Sequence, residues 1–247
     1  MIKGIYVATG GMIPRMTQMD NVAHNLANVS TNGYKKTSVF LRQLIGAEYA
    51  LNHALGLERS PVPEDVRVDF SQGPFEKTDN TFDIALNGSG FLRVRDNMGT
   101  VYYTRNGHFQ LDPNGLMVNS SGMFLLNRAN NVIRINGNDV QIIGNGDILV
   151  DGANTVSIGL AEFGPNDYAT LQGAGMGLFV KPAATNEILP NPGTQFLQGY
   201  LEDANVEPVL TMVDMIQLFR EFELCQKAIQ IQDQSLQRVV TEVGVLK

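Results

Sequence analysis

Apolar residues recur at every seventh position near both ends of this 247-residue chain. Two turns of an α-helix nearly close on seven residues, so each row forms one stripe that faces a partner helix. We therefore predict a helix at each end and interpret the two rows as helix-pairing surfaces, facing each other, copies of the chain in an assembly, or both. The rows are Ile5, Met12, Met19 and Leu26, and then Met215, Phe222, Ile229, Leu236 and Val243.

Apolar neighbours at offsets of three and four residues widen both rows. They are Met16 and Ala23 in the first row, and Met212, Ile216, Leu218, Phe219, Val239 and Val240 in the second. Two amphipathic helices packed on an ordinary globular core would show the same periodicity. However, ordering both ends costs backbone entropy that burying one row at each end does not offset. The pattern thus favours further partners for the ends.

Glycine and proline set the expected limits of the first helix. Pro14 lacks an N–H and crowds the carbonyl of Gly10, which predicts a kink or a helix that begins near Ile13. The pair Gly10-Gly11 then makes the first ten residues a flexible lead. The helix should end at residues 30–33, because Gly33 adopts positive φ readily. A weaker helical pattern covers residues 37–55, and Pro61 and Pro63 then predict a loop or an extended linker.

The middle of the chain consists of short β-branched and aromatic runs separated by turn dipeptides of the kind found in type I′ hairpins. These dipeptides are Asn87-Gly88, Asn106-Gly107, Asn114-Gly115, Asn136-Gly137, Asn145-Gly146 and Asp151-Gly152. Their spacing favours an antiparallel meander, sandwich or irregular barrel. Pro208 fits the first turn of a last helix that reaches about Val243.

The predicted fold class is therefore α+β, with terminal helices paired as a coiled-coil-like stem and a mainly antiparallel β domain between them. The expected division is an N-terminal helix over 1–35, a connecting segment over 36–70, a central β domain over 71–200 and a C-terminal helix over 201–247. These boundaries follow the changes in sequence pattern along the chain.

Composition excludes several classes of function. With 43% hydrophobic and 17% charged residues, the chain has the balance of a soluble protein. A net charge of −7 and the lack of a basic run longer than Lys35-Lys36 argue against nucleic-acid binding. No apolar run is long enough to span a bilayer, and the first residues do not form a cleaved signal peptide. The single cysteine, Cys225, is interpreted as a small apolar residue of the helical stripe.

No constellation of residues predicts catalysis, a metal site or a cofactor. The three histidines are scattered, and residues 173–177 lack both the spacing and the following helix of a phosphate-binding loop. Asp83 and Asp112 fit turn capping better than acid–base chemistry. His108 is interpreted as a surface or packing residue. We predict that the protein is not an enzyme.

Four motifs, in order along the chain, resemble those of the bacterial flagellar rod and hook proteins. The first, Asn25 to Lys35, resembles the N-terminal signature of that family almost letter for letter. The others are residues 72–91, residues 103–116 and residues 198–206. Together they frame nearly the whole chain.

The resemblance implies a structural subunit of the basal-body rod, polymerised through its terminal helices into the axial drive shaft and export channel. Implied partners are other rod subunits, copies of the chain itself and the flagellar type III export apparatus, with no membrane insertion. The implied location is the periplasm-spanning rod, reached without a cleaved signal. Asn25, Asn28 and Gly33 then form the family's motif turn, in which Asn28 and Gly33 direct the chain from the inner helix to the outer segments.

Within the family, the length and the lack of a long insert in residues 37–71 resemble a proximal rod protein, as does Phe222-Glu223. The turn from Asn28 to Gly33 and Asp233-Gln234 suit the distal rod protein equally well. A secreted β-domain adhesin or binding module is an alternative of another class. Such a module would be a stable monomer that does not need its helices.

Overall fold

The computed structural model describes residues 2–42, 62–137, 139–183, 185–191 and 193–244. The chain divides into two compact units, each drawn from separate stretches of sequence. Unit 1 takes Met1–Ala27, Thr37–Val68 and Glu207–Lys247, and unit 2 takes Asn28–Lys36 and Asp69–Val206. The backbone therefore passes from one unit to the other four times, after residues 27, 36, 68 and 206.

Unit 1 contains both long helices. Helix α1 spans Ile2–Ala27 and helix α2 spans Pro208–Gly244, and the two pack against each other. Strands β1 (Thr37–Arg42) and β2 (Val62–Val68) form an antiparallel pair beside α1. The predicted terminal helices are confirmed, including the start of α2 at Pro208, where a missing N–H costs little.

The predicted start of α1 near Ile13 is wrong, because the helix continues from Ile2 through Gly10, Gly11 and Pro14. The alternative of a kink at Pro14 stays a prediction. Pro14 removes one hydrogen bond, to the carbonyl of Gly10, and its ring is buried. Gly11 lies at a close approach of the helices, where a Cβ added to it would be 3.7 Å from Cys225 Sγ. Packing against α2 thus stabilises a helix that local sequence alone would interrupt.

The weak helix predicted from Thr37 is also wrong for residues 37–42, which form β1. The rest of that prediction, residues 43–55, and Pro61 lie outside the described residues. Pro63 lies within β2 rather than in a loop, opposite a register shift between Phe40 and Leu41. A bulged two-stranded sheet tolerates proline because one edge of each strand needs no ladder hydrogen bond.

Unit 2 is an antiparallel β structure. Its largest sheet has nine strands, with the order β14-β15-β6-β5-β9-β8-β7 and with β13 and β16 attached through β5. A three-stranded sheet β10-β11-β12 and the pairs β17-β4 and β18-β3 complete it. The strands are β3 (Phe75–Lys77), β4 (Ile84–Asn87), β5 (Phe91–Arg95), β6 (Val101–Thr104), β7 (Phe109–Leu111), β8 (Met117–Asn119), β9 (Phe124–Leu125), β10 (Val140–Ile142), β11 (Asp147–Val150), β12 (Ala153–Ser157), β13 (Leu160–Phe163), β14 (Gln172–Gly175), β15 (Leu178–Val180), β16 (Glu187–Ile188), β17 (Gln195–Gln198) and β18 (Tyr200–Glu202). The predicted α+β class is confirmed.

One hydrophobic cluster forms most of the core of unit 2. Leu92, Phe109 and Ile148 within it are fully buried, and strands of both larger sheets contribute to it. Aromatic rings pack beside this cluster, with Tyr103 and Phe163 in edge contact at 5.1 Å between centroids. This shared core makes the short strands one folding unit, since isolated hairpins are marginally stable in water.

Four hairpin turns repeat one hydrogen-bonding pattern. In each, an Asp or Asn side-chain oxygen accepts hydrogen bonds from the backbone N–H groups two and four residues later. Asp112, for example, accepts them from Asn114 and Leu116. The residue three positions later has positive φ, as in Gly115 at +76°. The turns begin at Asp96, Asp112, Asn119 and Asn127. The N–H of Leu116, as the main cause, lowers the pKa of the Asp112 carboxyl. The predicted capping role of Asp112 is confirmed.

The expected type I′ geometry is wrong for five of the six turn dipeptides. That turn needs positive φ at both central residues, and among the six pairs only Asp151 (+52°) and Gly152 (+81°) meet this condition. At Asn114-Gly115 the Asp112 side chain favours a longer loop instead, because it supplies hydrogen bonds that a two-residue loop does not use.

Candidate assembly interface

The seam between α1 and α2 contains the predicted seven-residue rows. Met12, Met19 and Leu26 are half-buried on α1. The second row is half-buried too, at Met215, Phe222, Ile229 and Leu236, while most residues between these positions are exposed. Ile5 and Val243 belong to the helices, but their side chains lie outside the described part of the structure. The described rows therefore lie on the faces that the two helices turn towards each other, and their role between subunits stays a prediction.

An ion pair and a small residue fix the alignment of the seam. Arg15 Nε lies 2.8 Å from Glu221 Oε2, with both side chains about one-third exposed. Gly11 faces Cys225 near the same level of the seam. Because Cys225 is half-buried there, its interpretation as a small apolar stripe residue agrees with its position.

A second apolar stripe on α2 is at least half exposed in the described part of the structure. Val209, Met212, Ile216 and Phe219 are 68%, 50%, 54% and 50% exposed. Their spacing of three, four and three residues places them on one face, roughly 100° around the helix from the seam row. Ile13 and Met16 on α1 are exposed to a similar extent. Sequence spacing alone had grouped Met212, Ile216 and Phe219 with the seam row, but the structure separates them.

Asn25 fastens β1 to α1. Its side chain is buried, accepts a hydrogen bond from Thr37 N at 2.9 Å and donates one to Thr37 O at 2.8 Å. Asn21 adds a single bond to Thr37 Oγ1 at 2.8 Å. Asn25 therefore reproduces the pairing of a neighbouring strand, which explains why an amide is needed at this position.

Asn25→Ala should release β1 from α1. The change leaves the Thr37 N–H and carbonyl without their partners, at a cost of about 2–3 kcal/mol. Hydrogen exchange of the β1 amides measures that cost as a free energy of opening. Asn21→Ala is the matched control and should cost below about 1 kcal/mol. Equal effects of the two changes would contradict the anchoring role of Asn25.

The other two residues of the motif turn belong to unit 2. The Asn28 carbonyl accepts a hydrogen bond from the backbone N–H of Thr31 at 3.0 Å, and the Asn28 side-chain oxygen accepts one from Thr31 Oγ1 at 3.3 Å. These bonds close the turn after α1. Gly33 has φ +69° and donates its N–H to Glu202 O at 2.6 Å. The turn is thus held within unit 2, whereas Asn25 is held within unit 1. Its role in directing the chain in an assembly stays a prediction.

The described residues contain no competing site of known chemistry. No group of three or more His, Cys, Asp and Glu residues in that part of the chain is placed to hold a metal ion. None of its helices is both long enough and apolar enough to cross a bilayer. His108 is half-exposed, with Nδ1 2.8 Å from the buried Asp83 Oδ1, which agrees with a packing role.

Three family models match this sequence in register with its architecture. The flagella basal body rod protein model matches residues 5–35, in α1 and the motif turn. The flagellar hook protein FlgE/F/G D1 domain model matches residues 85–158 in unit 2. The flagellar basal body rod FlgEFG protein C-terminal model matches residues 197–242, which include most of α2.

Similar proteins match over nearly their whole length. FlgG of Buchnera aphidicola from Schizaphis graminum is 33% identical, over 97% of this chain and 99% of the relative. FlgF of Caulobacter vibrioides is 31% identical over 92% of each. FlgF of Escherichia coli is 29% identical, over 96% of this chain and 97% of the relative. The chain therefore belongs to the flagellar basal-body rod family of FlgE, FlgF and FlgG, and is a non-enzymatic structural subunit of the rod.

Proposed function

We propose that this subunit polymerises through its terminal helices, with α1 and α2 towards the rod axis and unit 2 towards the outside. The observation that carries the proposal is the stripe Val209, Met212, Ile216 and Phe219, whose side chains stay at least half exposed although the neighbouring face of α2 already packs on α1. Burying the exposed half of these four side chains would favour association by on the order of 3–6 kcal/mol.

The partners of the stripe are helices of neighbouring rod subunits, including copies of this chain. A soluble monomer rarely keeps large apolar side chains aligned along a helix in water. The spacing of the stripe matches the a and d positions that insert into another helix. Family membership supports the same partners, since rod proteins are built to assemble with one another.

The assembled helices would form part of the axial drive shaft and line the export channel. Export through the flagellar type III apparatus without a cleaved signal belongs to the same proposal. Its support is family membership together with the N-terminal motif Asn25 to Lys35.

Sedimentation of the purified full chain at rising concentration tests the assembly proposal. We expect concentration-dependent association of the chain alone or with purified FlgF and FlgG proteins of the same bacterium. An adhesin or binding module would instead remain monomeric in both cases. A monomer that never associates with either partner would overturn the proposal.

The proposed position is the proximal rod. The lack of a long insert in residues 37–71 and the pair Phe222-Glu223 support this position, while the turn from Asn28 to Gly33 equally supports a distal one. A tag inserted at Met98, which is 94% exposed at a hairpin tip, reports the location. In tomograms of basal bodies we expect the tag near the inner-membrane end of the rod. A tag near the outer-membrane end would establish the distal position.

A further inference from the structure

Three charged side chains meet in the interior of unit 2. The side chains of Lys35 and Glu202 are fully buried and that of Arg105 is 5% exposed. Lys35 Nζ lies 2.5 Å from Glu202 Oε1, and Arg105 Nη1 lies 3.2 Å from Glu202 Oε2. The N–H of Gly73 also donates to Glu202 Oε1, at 3.0 Å. One carboxylate therefore holds two buried cations.

The cluster joins three stretches that are far apart in sequence. Lys35 comes from residues 28–36, Gly73 from residues 69–73 and Glu202 from residues 199–206. Lys35 Nζ also donates to Ser71 O at 2.7 Å, and Arg105 Nη2 donates to Gly88 O at 2.7 Å. These stretches contain the points where the backbone enters and leaves unit 2. We call residues 28–36, 69–73 and 199–206 the clamp.

Asn205 provides a second set of bonds across the same three stretches. Its Oδ1 accepts a hydrogen bond from the backbone N–H of Lys36 at 2.6 Å. Its Nδ2 donates hydrogen bonds to Asp69 O at 2.8 Å and to Ser71 O at 3.1 Å. Tyr34 and Val206 pack together beside it. Each of the three stretches is thus bonded to at least one of the other two.

Glu202 is the most important residue of the charged cluster, because it is the single anion between the two buried cations. Burial, as the largest cause, lowers the pKa of the Lys35 ammonium, although Glu202 opposes the shift. The clamp therefore bears a desolvation cost that its single anion must offset. Without that anion two like charges would remain buried side by side, and the closed arrangement would lose its main attraction.

A pocket that is open to solvent lies beside the cluster. It has a volume of about 480 Å³ and borders Phe70 and Gln72 of the clamp and the guanidinium of Arg105. Arg105 Nε is buried and makes no hydrogen bond within the described residues. This side of the clamp therefore faces solvent rather than close-packed side chains of the main hydrophobic cluster.

We propose that residues 28–36, 69–73 and 199–206 open and close as one cooperative unit while the β core stays folded, with the Glu202 carboxylate as the lock. The clamp then determines how firmly unit 2 holds the segments that lead to the terminal helices. This inference concerns the single chain and does not depend on the proposed assembly.

Hydrogen exchange of the full chain, resolved by mass spectrometry, tests the clamp. In Glu202→Gln we expect exchange in all three stretches to rise together by on the order of 100-fold or more. Protection of β6, β7 and β8 should remain. Lys77→Met is the matched control, because Lys77 and Asp79 form an exposed ion pair at 2.7 Å in the same unit. It should change exchange by less than about threefold.

The double variant Lys35→Met with Glu202→Gln separates charge from shape. Removing the Lys35 ammonium ends the repulsion between two buried cations but leaves Arg105 without its anion, so protection of all three stretches should recover in part, by at least about tenfold over Glu202→Gln. Faster exchange in residues 199–206 alone, or a double variant no better than Glu202→Gln, would overturn the proposal. If Glu202→Gln does not fold, the double variant tests the proposal instead. It should fold if Glu202 acts through its charge, and failure to fold would overturn the proposal.

Discussion

Replacing Ile216 or Phe219 with aspartate should keep the chain out of the rod and abolish motility, while the monomer stays folded. Both side chains are about half exposed on the outer stripe of α2. A carboxylate there remains hydrated in the monomer, so the free energy of unfolding should fall by only about 1–2 kcal/mol, from the lost contacts of the buried half of the side chain and the lower helix propensity of Asp. In an assembled stripe the same charge would be buried without a partner.

The expected loss is large because every subunit repeats the interface. An unpaired buried charge costs about 3–5 kcal/mol, which weakens each contact by roughly 200- to 5,000-fold. Basal bodies purified from complemented cells would show whether the variant is incorporated. Gln217→Asp is the matched control, since Gln217 is exposed on another face of α2, and it should be incorporated normally. Motile cells carrying Ile216→Asp would contradict the interface.

Gly33→Ala should destabilise unit 2 by about 3–5 kcal/mol. Two effects add at this position. The backbone has φ +69°, which strains any residue with a Cβ. The added Cβ would also lie 2.4 Å from both Arg105 C and Asn106 N, and these backbone atoms cannot move without disturbing the buried segment around Arg105.

Gly99→Ala separates the two effects. Gly99 also has positive φ, at +94°, but a Cβ there meets nothing within 4 Å. This control should lose only about 1–2 kcal/mol, which is the conformational cost alone. Urea unfolding followed by circular dichroism measures both values. Equal losses in the two variants would show that the close approach of Gly33 to residues 105 and 106 is unimportant.

The helices were predictable because their signals are long and periodic. The rows through Met19 and Met215 extend over several turns, and Pro208 marks the start of α2. Pro14 misled the prediction because its cost is local, whereas the packing that offsets it comes from residues two hundred positions away. The helix predicted over Thr37–Arg42 is wrong for the same reason, since pairing with β2 determines the extended conformation of this segment.

The clamp could not have been derived from spacing. Lys35, Arg105 and Glu202 each lie inside one of the motifs that resemble the rod family. Nothing in their spacing predicts that the three side chains come together. A buried charge looks like any surface charge in a sequence, because only the fold decides its burial. Met212, Ile216 and Phe219 were predictable as apolar positions of α2, but not as a face separate from the seam row, because only the structure shows which side of α2 contacts α1.

Thiol labelling tests the central claim that the terminal helices assemble while unit 2 remains outside. The chain carries Cys225→Ser together with either Ile216→Cys on the stripe or Met98→Cys at the exposed hairpin tip of unit 2. Both thiols should react rapidly with a maleimide in the monomer. In purified basal bodies, the thiol at position 216 should be protected and that at position 98 should still react. Rapid labelling at position 216 in the assembled rod would contradict the account.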